Sequence, residues 1–534
     1  MSVPRPRIGH RPLAEVAGEH YDLVVIGGGI TGAGVARHAA QAGLRTLLLE
    51  ADDFAAGTSS RSTKLIHGGL RYLAMGDIAL VREGVRERRH LLAMAPHLVE
   101  PRWMLVPAAT WGRYLLLRIG IAVYERLGKV GRGDRHRNWQ RAELAEGEPL
   151  LDSGRLPRAC VYREYLTDDA RLVLATLRAA AADGAVACNY ARVRGIDAGD
   201  DGCRLEVLDE ATGATHTVSA RVAVNAAGPW VESLLPPADG PDPAPRLHLS
   251  KGVHLVVDRS RLDVRHMVMM TAADGRPVFA IARGGVTYVG TTDTTHHGGA
   301  ELWPEVQAAD IDYLLATVND HFRGRPLSSA DVLATWAGLR PLIRQPGKNP
   351  KEMSRRDEVW RQRSLVTVAG GKLTGFRPMA EAVMAAVGDV VGRHLPMPQP
   401  LAPLAGGDIA DLAALREAVS GRYQLDPTAA ERLVRLYGSE VVDVLGERPV
   451  PLTSSMYAEE VAWAADVEGA RTLEDVVYRR LRAPWFLPGE TPALLEPAAD
   501  LLAGRLGWSD AERQRQLDAV RRRLADELAF RERA

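Results

Sequence analysis

Three glycines near the start of the chain have the type and spacing of a nucleotide-binding turn. Gly27, Gly29 and Gly32 form the pattern G-x-G-x-x-G. Glycines at these positions let the backbone approach a pyrophosphate, and the N-terminus of the following helix stabilises its negative charge. Glu50 lies about 20 residues further on, where an acidic side chain accepts hydrogen bonds from a ribose. These four residues predict a dinucleotide-binding site.

A strand, a helix and a second strand must hold this turn in place. The apolar run 23–26 predicts a buried parallel strand, and the alanine-rich stretch 33–42, which Gly43 ends, predicts a helix. The apolar run 46–49 predicts a second strand, so the three elements form a βαβ unit. This context distinguishes the motif from a glycine turn that binds no ligand.

Later patterns alternate between helix and strand. We predict a helix over 168–182, a strand over 221–225 that runs into a glycine turn, and an antiparallel sheet within 251–293. A strand over 365–369 leads into a further helix. The proline-rich stretch 396–403 breaks the pattern, and the sequence beyond it is almost wholly helical.

The polar stretch 52–72 decides between FAD and NAD. It is dense in hydroxyl groups and glycines, and such a loop can lie along an extended dinucleotide and reach an isoalloxazine ring. A second glycine turn at 227–228 follows a strand, and a third at 370–375 opens a helix. Three such turns favour a tightly held FAD over an exchanging NAD. The residues expected to bind it are Gly27, Gly29, Gly32, Glu50, Thr58, Ser59, Lys64, His67, Gly68, Gly69, Gly228, Gly371, Lys372, Leu373 and Thr374.

The composition argues against several other classes of protein. The 534 residues include 67 Lys and Arg and 67 Asp and Glu, and the resulting net charge of zero is unlike that of a nucleic-acid binder. Cys160, Cys188 and Cys203 form neither a zinc motif nor a disulfide framework, which fits a reduced cytosolic compartment. Residues 1–20 read as a loose tail without the apolar centre of a secretory signal, and we expect no bilayer-spanning segment.

A series of short motifs follows the glycine turn in a fixed order. They are 58–60 with 64–73, 168–172, 228–230, 251–252, 290–293, 338–342 and 370–374, and then 457–461, 468–475 and 479–480. Together they resemble the FAD-dependent glycerol-3-phosphate dehydrogenases, over about residues 21–500. The resemblance implies an α/β fold: a Rossmann-like FAD-binding domain of the glucose-inhibited/DAAO-type flavoprotein class, an antiparallel β substrate domain and an all-α C-terminal domain.

The predicted domains follow from this resemblance and from the breaks in the pattern. After the tail, a discontinuous FAD-binding domain takes 21–100, 165–245 and 335–395, and a substrate domain takes 101–164 and 246–334. A linker over 396–404 then leads to a helical domain over 405–534.

The chain also departs from the family's pattern. The departures are His38 for Asp, Ala42 for Arg, Leu166 for Trp, Ala282-Arg283 for Pro-Trp, and Phe376 for Tyr. They leave the expectation of FAD binding in place and make the substrate the open question, because Arg283 is expected near the substrate pocket.

The expected reaction is oxidation of sn-glycerol 3-phosphate to dihydroxyacetone phosphate. His67 matches the family's active-site histidine, and a histidine of ordinary pKa is largely neutral near pH 7 and suits the base. The alternative role for His67 is a hydrogen bond to the cofactor alone. Cations must hold the phosphate. The candidates for substrate binding are Arg71, Tyr72, Lys251, Arg340, Arg355 and Lys372.

Further expectations concern Arg340 and Lys64. Arg340 is also assigned to the catalytic set, because Gly338 and Pro341 are expected to fix its backbone in a tight turn. Lys64 is expected to have a structural role, in which it binds the cofactor's phosphate. No metal site is expected, because the adjacent His296 and His297 would point to opposite faces of a strand.

Residues 111–137 are relevant to how the reduced FAD passes its electrons on. This segment interleaves apolar and basic side chains and is too short and too charged to span a bilayer. It predicts either a helix lying on an anionic membrane or a helix packed on the core with a solvated basic face. The resemblance implies that membrane quinone accepts the electrons, or oxygen, as in some relatives. With quinone as acceptor, the protein is expected to be cytoplasmic and to contact the inner face of the membrane. It leaves a homodimer open.

Two other functions compete with this one. The same fold can oxidise another phosphorylated polyol or a 2-hydroxy or 2-amino acid, because Arg340 can hold a carboxylate as well as a phosphate. A flavoprotein without turnover would bind FAD that no polyol phosphate reduces.

Overall fold

The strands of the computed structural model form two sheets. The structure describes residues 6–67, 78–235, 247–344, 357–397 and 401–532. The strands in these ranges are β1 His20–Ile26, β2 Thr46–Leu49, β3 Leu65–Ile66, β4 Val99–Ala108, β5 Arg137–Gln140, β6 Arg158–Thr167, β7 Val186–Cys188, β8 Ala191–Ala198, β9 Cys203–Asp209, β10 Thr215–Asn225, β11 Leu247–Asp258, β12 Met267–Thr271, β13 Pro277–Arg283, β14 Val286–Gly290, β15 Thr294–Thr295, β16 Val332–Ile343, β17 Glu358–Gln362 and β18 Leu365–Ala369.

Helices cover both sheets and make up most of the chain beyond residue 401. The α-helices are α1 Leu13–Ala17, α2 Ile30–Gln41, α3 Ile78–Met94, α4 Trp111–Leu127, α5 Arg141–Gly147, α6 Asp169–Ala182, α7 Ala308–His321, α8 Phe376–Val391, α9 Leu412–Tyr423, α10 Pro427–Tyr437, α11 Val441–Leu445, α12 Ala458–Asp466, α13 Ala483–Phe486, α14 Thr491–Leu506 and α15 Asp510–Asp526. A π-helix spans Asp475–Arg480, just before α13.

The first sheet has a parallel centre in the order β18-β10-β1-β2-β7. Its central strands are buried on both faces, as parallel strands under helices must be. Helices α2, α6 and α8 share one apolar core with it. The predicted runs 23–26, 46–49 and 365–369 lie in β1, β2 and β18, and the carboxyl ends of these strands and of β10 lie at one edge of the sheet.

The second sheet is largely antiparallel and runs β15-β11-β14-β13-β12-β4-β6-β3, with β16 added beside β11 and β5 beside β6. One face packs on α7. The other face carries Tyr288 and Trp336 against Tyr478 and Trp485 of the helical region. The predicted fold class, including its helical C-terminal domain, is confirmed by this arrangement.

The N-terminal residues are not the loose tail that the sequence predicts. Ile8 is fully buried, and its amide donates to the carbonyl oxygen of Val467. The amide of Gly9 donates to the carbonyl oxygen of Ala187, and α1 buries Leu13 and Val16. Because three apolar side chains find cover here, residues 6–20 belong to the folded structure.

Strand β16 corrects the predicted domain boundary at 334–335. It runs antiparallel to β11 from Val332 to Ile343, so residues 335–343 belong to the second sheet and not to the FAD-binding domain. The short strand β3 also joins this sheet, through β6, although the sequence groups it with the first domain.

No helix in the described part of the chain combines the length and the apolarity needed to cross a bilayer.

Candidate active site

A cavity of about 660 Å³ opens at the carboxyl edge of the parallel strands. The turns after β1, β2, β10 and β18 all contribute to its wall, where open α/β sheets bind their ligands. The predicted residues among its lining are Gly27, Gly29, Glu50, Thr58, Ser59, Gly228, Gly371, Lys372 and Leu373.

The first glycine turn is built for close approach of the backbone. Gly27 has φ +106°, and a Cβ there would lie 2.6 Å from the carbonyl oxygen of Ala226. A Cβ at Gly32 would lie 1.9 Å from the carbonyl oxygen of Gly27, so Gly32 supports the turn and does not line the cavity. Gly29 caps α2, and the Ile30 amide donates to Ser59 Oγ at 3.0 Å. A helix N-terminus therefore faces the cavity, ready for a pyrophosphate.

Glu50 is fixed at the end of β2. Its Oε2 accepts from the Gly28 amide at 2.5 Å, and its Oε1 accepts from the Asp52 amide at 2.9 Å. Burial raises the pKa of Glu50 to about 7, although these two bonds oppose the shift. The carboxyl group lines the cavity in the position predicted for a ribose partner.

The loop after β2 passes along the same cavity. Thr58 Oγ1 donates to the carbonyl oxygen of Leu339 at 2.6 Å, which ties the loop to β16. Ser62 lines the cavity and donates through Oγ to Asp169 Oδ2 at 2.7 Å. Gly57 packs on Trp230, where an added Cβ would lie 3.1 Å from the indole ring. The loop is therefore held from three elements that are distant in sequence.

Lys64 lies beneath this loop and not in the cavity. Its side chain is fully buried, with Nζ 3.3 Å from Asp169 Oδ2 and 3.1 Å from the carbonyl oxygen of Ser60. Nζ also lies 4.4 Å from the centre of the Trp336 ring. Burial lowers the pKa of Lys64 to about 7, against the effect of Asp169. The prediction that Lys64 contacts the cofactor is wrong here, because its side chain is enclosed beneath the loop.

The third glycine turn closes the cavity after β18. Gly370 and Gly371 have φ +77° and +84°, and a Cβ at Gly371 would lie 2.2 Å from Met379 Sδ. Lys372 and Leu373 line the cavity, whereas Thr374 is buried in a short 3-10 turn. The predicted helix begins only at Phe376, after this turn.

Arg340 lies near the C-terminal end of β16 and is not among the residues that line the described cavity. Its Nη2 donates to Thr291 Oγ1 at 2.8 Å, and its Nη1 lies 3.3 Å from Asp293 Oδ1. Gly252 makes the space, because a Cβ there would lie 2.2 Å from Arg340 Nη2. The predicted tight turn is wrong, since pairing with β11 keeps this segment extended. Pro341, the next residue along the strand, lines the cavity.

These features fit FAD. The cavity offers a glycine turn at a helix N-terminus for a pyrophosphate, an acidic group for a ribose, and a long groove that reaches β16. Comparison with known proteins agrees. The family of FAD-dependent oxidoreductases matches residues 22–380, and the C-terminal domain of alpha-glycerophosphate oxidase matches residues 401–513. The aerobic glycerol-3-phosphate dehydrogenase of Staphylococcus aureus strain USA300 is 35% identical over 538 aligned residues, which cover 95% of each chain.

The chain belongs to the FAD-dependent glycerol-3-phosphate dehydrogenases. It is an FAD-dependent oxidoreductase, as the sequence predicts. Among solved structures, the glycerol-3-phosphate dehydrogenase from Bacillus halodurans complexed with FAD is 33% identical, with a TM-score of 0.79 and 97% of each chain covered. The L-alpha-glycerophosphate oxidase from Mycoplasma pneumoniae with FAD bound is 17% identical and shares the fold, with a TM-score of 0.55 over 72% of this chain and 97% of that one.

Lys251 does not join Arg340 in the way that the sequence predicts for this dehydrogenase. Its Nζ is held by Asp310 Oδ2 at 2.7 Å and by the carbonyl oxygen of Glu305 at 2.9 Å. Ser250, its neighbour on β11, is the residue paired with Arg340, and successive side chains of a strand point to opposite faces. Lys251 therefore anchors α7 to the sheet, and the prediction of substrate contact is wrong.

Arg283 is likewise withdrawn from the cavity. Its Nη2 lies 2.7 Å from Asp168 Oδ2, and its guanidinium carbon lies 3.9 Å from the centre of the Phe486 ring. It does not line the described cavity, because an aspartate and an aromatic ring hold it against the helical region.

The other departures from the family pattern also have structural partners. His38 Nε2 lies 3.1 Å from the carbonyl oxygen of Pro396, and Phe376 packs so closely on Gly34 that an added Cβ would lie 2.7 Å from its ring. Leu166 pairs with Leu65 between β6 and β3. None of these three residues lines the described cavity.

His67 follows β3 and is half-buried. Its role as base stays a prediction, as does its contact with the cofactor. The other predicted residues of this region, Gly68, Gly69, Arg71 and Tyr72, lie outside the described residues, as does Arg355.

Sequence reasoning missed one wall of the cavity. Arg192 and Val193 of β8 line it, as do Trp230 and Leu302. Trp230 lies within one of the family motifs but was not predicted as a site residue. Its indole Nε1 donates to the carbonyl oxygen of Ala300 at 3.1 Å. No pattern in the sequence marks Arg192, Val193 or Leu302.

His296 and His297 follow the short strand β15. His296 Nε2 lies 3.0 Å from the carbonyl oxygen of Gly299, and His297 is exposed. In the described ranges, no group of three or more His, Cys, Asp or Glu side chains has the arrangement of a metal site.

Proposed function

We propose that this chain oxidises sn-glycerol 3-phosphate to dihydroxyacetone phosphate. The observation that carries the proposal is a fixed cation on the strand that reaches the cavity: Arg340 is held by Thr291 and Asp293, and the next residue, Pro341, lines the cavity. A guanidinium held in this way matches a phosphate, to which it can donate two parallel hydrogen bonds. The names of the relatives support the same substrate.

Oxidation of the C2 alcohol removes a proton from oxygen and a hydride from carbon, which leaves a ketone. FAD supplies the hydride acceptor when it is bound. We assign the proton to His67 as general base, and the phosphate to Arg340 with help from Lys372. Holding the phosphate at a fixed distance from the base orients the C2–H bond and removes the entropic cost of finding that geometry during each turnover.

The visible spectrum of the purified holoprotein tests this proposal. We expect that anaerobic sn-glycerol 3-phosphate bleaches the yellow flavin, whereas glycerol and 2-hydroxy acids at equal concentration do not. Bound flavin that sn-glycerol 3-phosphate does not bleach would overturn the substrate assignment and leave the fold and the cofactor in place. Bleaching by a 2-hydroxy acid alone would identify the competing substrate class.

We further propose that the electrons pass to membrane quinone and that α4 lies on the bilayer. Helix α4 turns Tyr114, Ile121 and Tyr124 inward. Its other face is apolar and exposed, with 62% of Trp111 and 72% of Leu116 accessible to solvent. The stripe is completed by Leu115, Ile119 and Val123. An apolar stripe of this size on a surface helix is typical of an interaction site.

Basic residues flank this stripe. Arg113, Arg118, Arg126 and Lys129 are exposed, and the helix has no acidic residue in its first turn. Apolar side chains directed outward among arginines suit the headgroup region of an anionic bilayer better than solvent. This observation favours the membrane over the core-packed alternative for the segment.

Removing three of these charges should release the protein from anionic vesicles. Each basic residue near such a surface contributes about 1 kcal/mol, so the triple variant R113A/R118A/R126A is expected to bind phosphatidylglycerol vesicles about 100-fold more weakly in a sedimentation assay. The matched control R505A/R515A/R522A, on exposed helices of the C-terminal region, should bind as the parent does. Equal binding of both variants would contradict the membrane assignment of α4.

A further inference from the structure

The loop after β2, residues 50–62, is called the cofactor loop below. It carries a fully buried carboxylate three residues after Glu50. Asp53 is inaccessible to solvent. Its Oδ1 accepts from Arg480 Nη2 at 2.8 Å, and its Oδ2 accepts from Arg479 Nε at 2.6 Å and also from Arg480 Nη1. Asn189 Nδ2 completes the set at 3.3 Å from Oδ1. The carboxylate is thus fully paired, and by two guanidiniums at once.

Both guanidiniums come from the π-helix Asp475–Arg480 of the helical region. Arg479 is also bound by Asp475, with Nη2 at 2.5 Å from Oδ1, and Arg480 donates to the carbonyl oxygen of Glu468 at 2.6 Å. Asp475 in turn accepts from the Tyr190 hydroxyl at 2.8 Å. The arginines are therefore held rigidly before they reach Asp53, and their geometry is imposed on the loop.

The helical region holds the same loop a second time, near Ser60. Arg482 Nη2 donates to the carbonyl oxygen of Ser60 at 3.0 Å and to Asp169 Oδ1 at 2.9 Å. Arg61 Cζ lies 3.9 Å from the centre of the Trp303 ring, over which Arg523 also lies, at 4.3 Å. Both ends of the segment 53–61 thus depend on side chains from beyond residue 478.

We infer that Arg480, acting through Asp53, is a positioning residue for FAD. The loop between the two contacts supplies Ala56, Gly57, Thr58 and Ser59 to the cavity, and Asp53 lies three residues from Glu50. A buried carboxylate that loses its cation must move toward water or take up a proton, and either change displaces the loop. Retention of FAD therefore depends on a contact made by the helical domain, outside the cofactor cavity.

Two conservative variants of the full chain test this inference. Asp53→Asn keeps the shape of the side chain and removes its charge, and Arg480→Lys keeps the charge and loses the paired donors. We expect each to raise the dissociation constant for FAD about 10-fold or more, measured by fluorescence titration of the FAD-stripped protein.

A second ion pair between the same two regions provides the matched control. Arg178 of α6 donates through Nη2 to Glu440 Oε1 at 2.7 Å; the arginine is buried, 18% of the Glu440 side chain is exposed, and neither residue contacts the cofactor loop. Glu440→Gln and Arg178→Lys are expected to lower the thermal midpoint of the apoprotein and to leave the dissociation constant for FAD within about twofold.

The combination of the two measurements decides the inference. Equal loss of FAD affinity in all four variants would overturn it, because docking of the helical domain in general would then be responsible. Unchanged FAD affinity in Asp53→Asn would overturn it as well. If circular dichroism shows that Asp53→Asn does not fold as apoprotein, the test is the comparison of Arg480→Lys with Arg178→Lys at the same thermal midpoint. Equal dissociation constants for FAD in these two variants would then overturn the inference.

Discussion

Replacement of His67 by alanine is expected to leave a yellow protein that has lost nearly all turnover. A general base contributes about 10²- to 10⁴-fold to the rate of a proton transfer, and the loss should appear in the anaerobic rate of flavin bleaching by sn-glycerol 3-phosphate. Because the first glycine turn, Glu50 and the third glycine turn remain intact, the flavin content should stay at the parent level.

The control for this experiment is His297→Ala, which removes an exposed histidine. It should bleach at the parent rate. A His67→Ala protein that reduces its flavin normally would exclude His67 as the base. Loss of FAD together with turnover would instead support the alternative in which His67 serves the cofactor through a hydrogen bond.

Replacement of Arg340 by alanine is expected to raise the KM for sn-glycerol 3-phosphate about 100-fold, because hydrogen bonds to a charged group are worth about 1.5–3 kcal/mol. Two effects add. The substrate phosphate loses its donors, and the carboxylate of Asp293, which lies 3.3 Å from Arg340 Nη1, loses a positive neighbour and repels the anion. Steady-state kinetics with FAD present in excess measure the change.

Arg340→Lys should give an intermediate KM, since lysine keeps the charge but not the planar fork of donors. The control Arg259→Ala removes an arginine that pairs with Asp263 in the connection after β11, and it should leave the KM unchanged. A parent-like KM in Arg340→Ala would move the phosphate site to other cations, among which Arg71 and Arg355 are the remaining candidates.

The parts of the fold that sequence predicts well are those whose signals are local. The runs 46–49 and 365–369 are apolar except for one threonine each, and both appear as strands with these limits. The glycine turn at 27–32 needs only its flanking strand and helix to be identified. In these segments, short-range chemistry and tertiary packing favour the same conformation.

The incorrect predictions share a dependence on distant partners. Ile8 is buried by the backbone near Val467, so residues 6–20 look like a tail when they are read alone. Gly338 and Pro341 favour a turn locally, but eleven of the twelve residues of β16 pair with β11 and override that preference. Lys64 and Lys251 have the charge that a phosphate site needs, but each is bound by an aspartate that the sequence does not identify as a neighbour.

Helix α4 shows a third kind of limit. Its alternation of apolar and basic residues is plain in the sequence, but amphipathic spacing does not say which face is covered. The structure resolves this point by turning Leu116 outward and Ile121 inward.

The contacts that hold the cofactor loop at Asp53 and at Arg61 have a consequence for the order in which the chain is synthesised. Asp53 and Arg61 are made early, whereas Arg480 follows Asp53 by 427 residues, and Arg482 and Arg523 come later still. Before these arginines are made, burying the charges of Asp53 and Arg61 would leave them unpaired and would cost free energy. We therefore expect this loop to stay hydrated while most of the chain is already made. If Arg480 positions the loop as inferred above, we expect cofactor uptake to be a late step, and a chain interrupted before about residue 480 to bind flavin weakly.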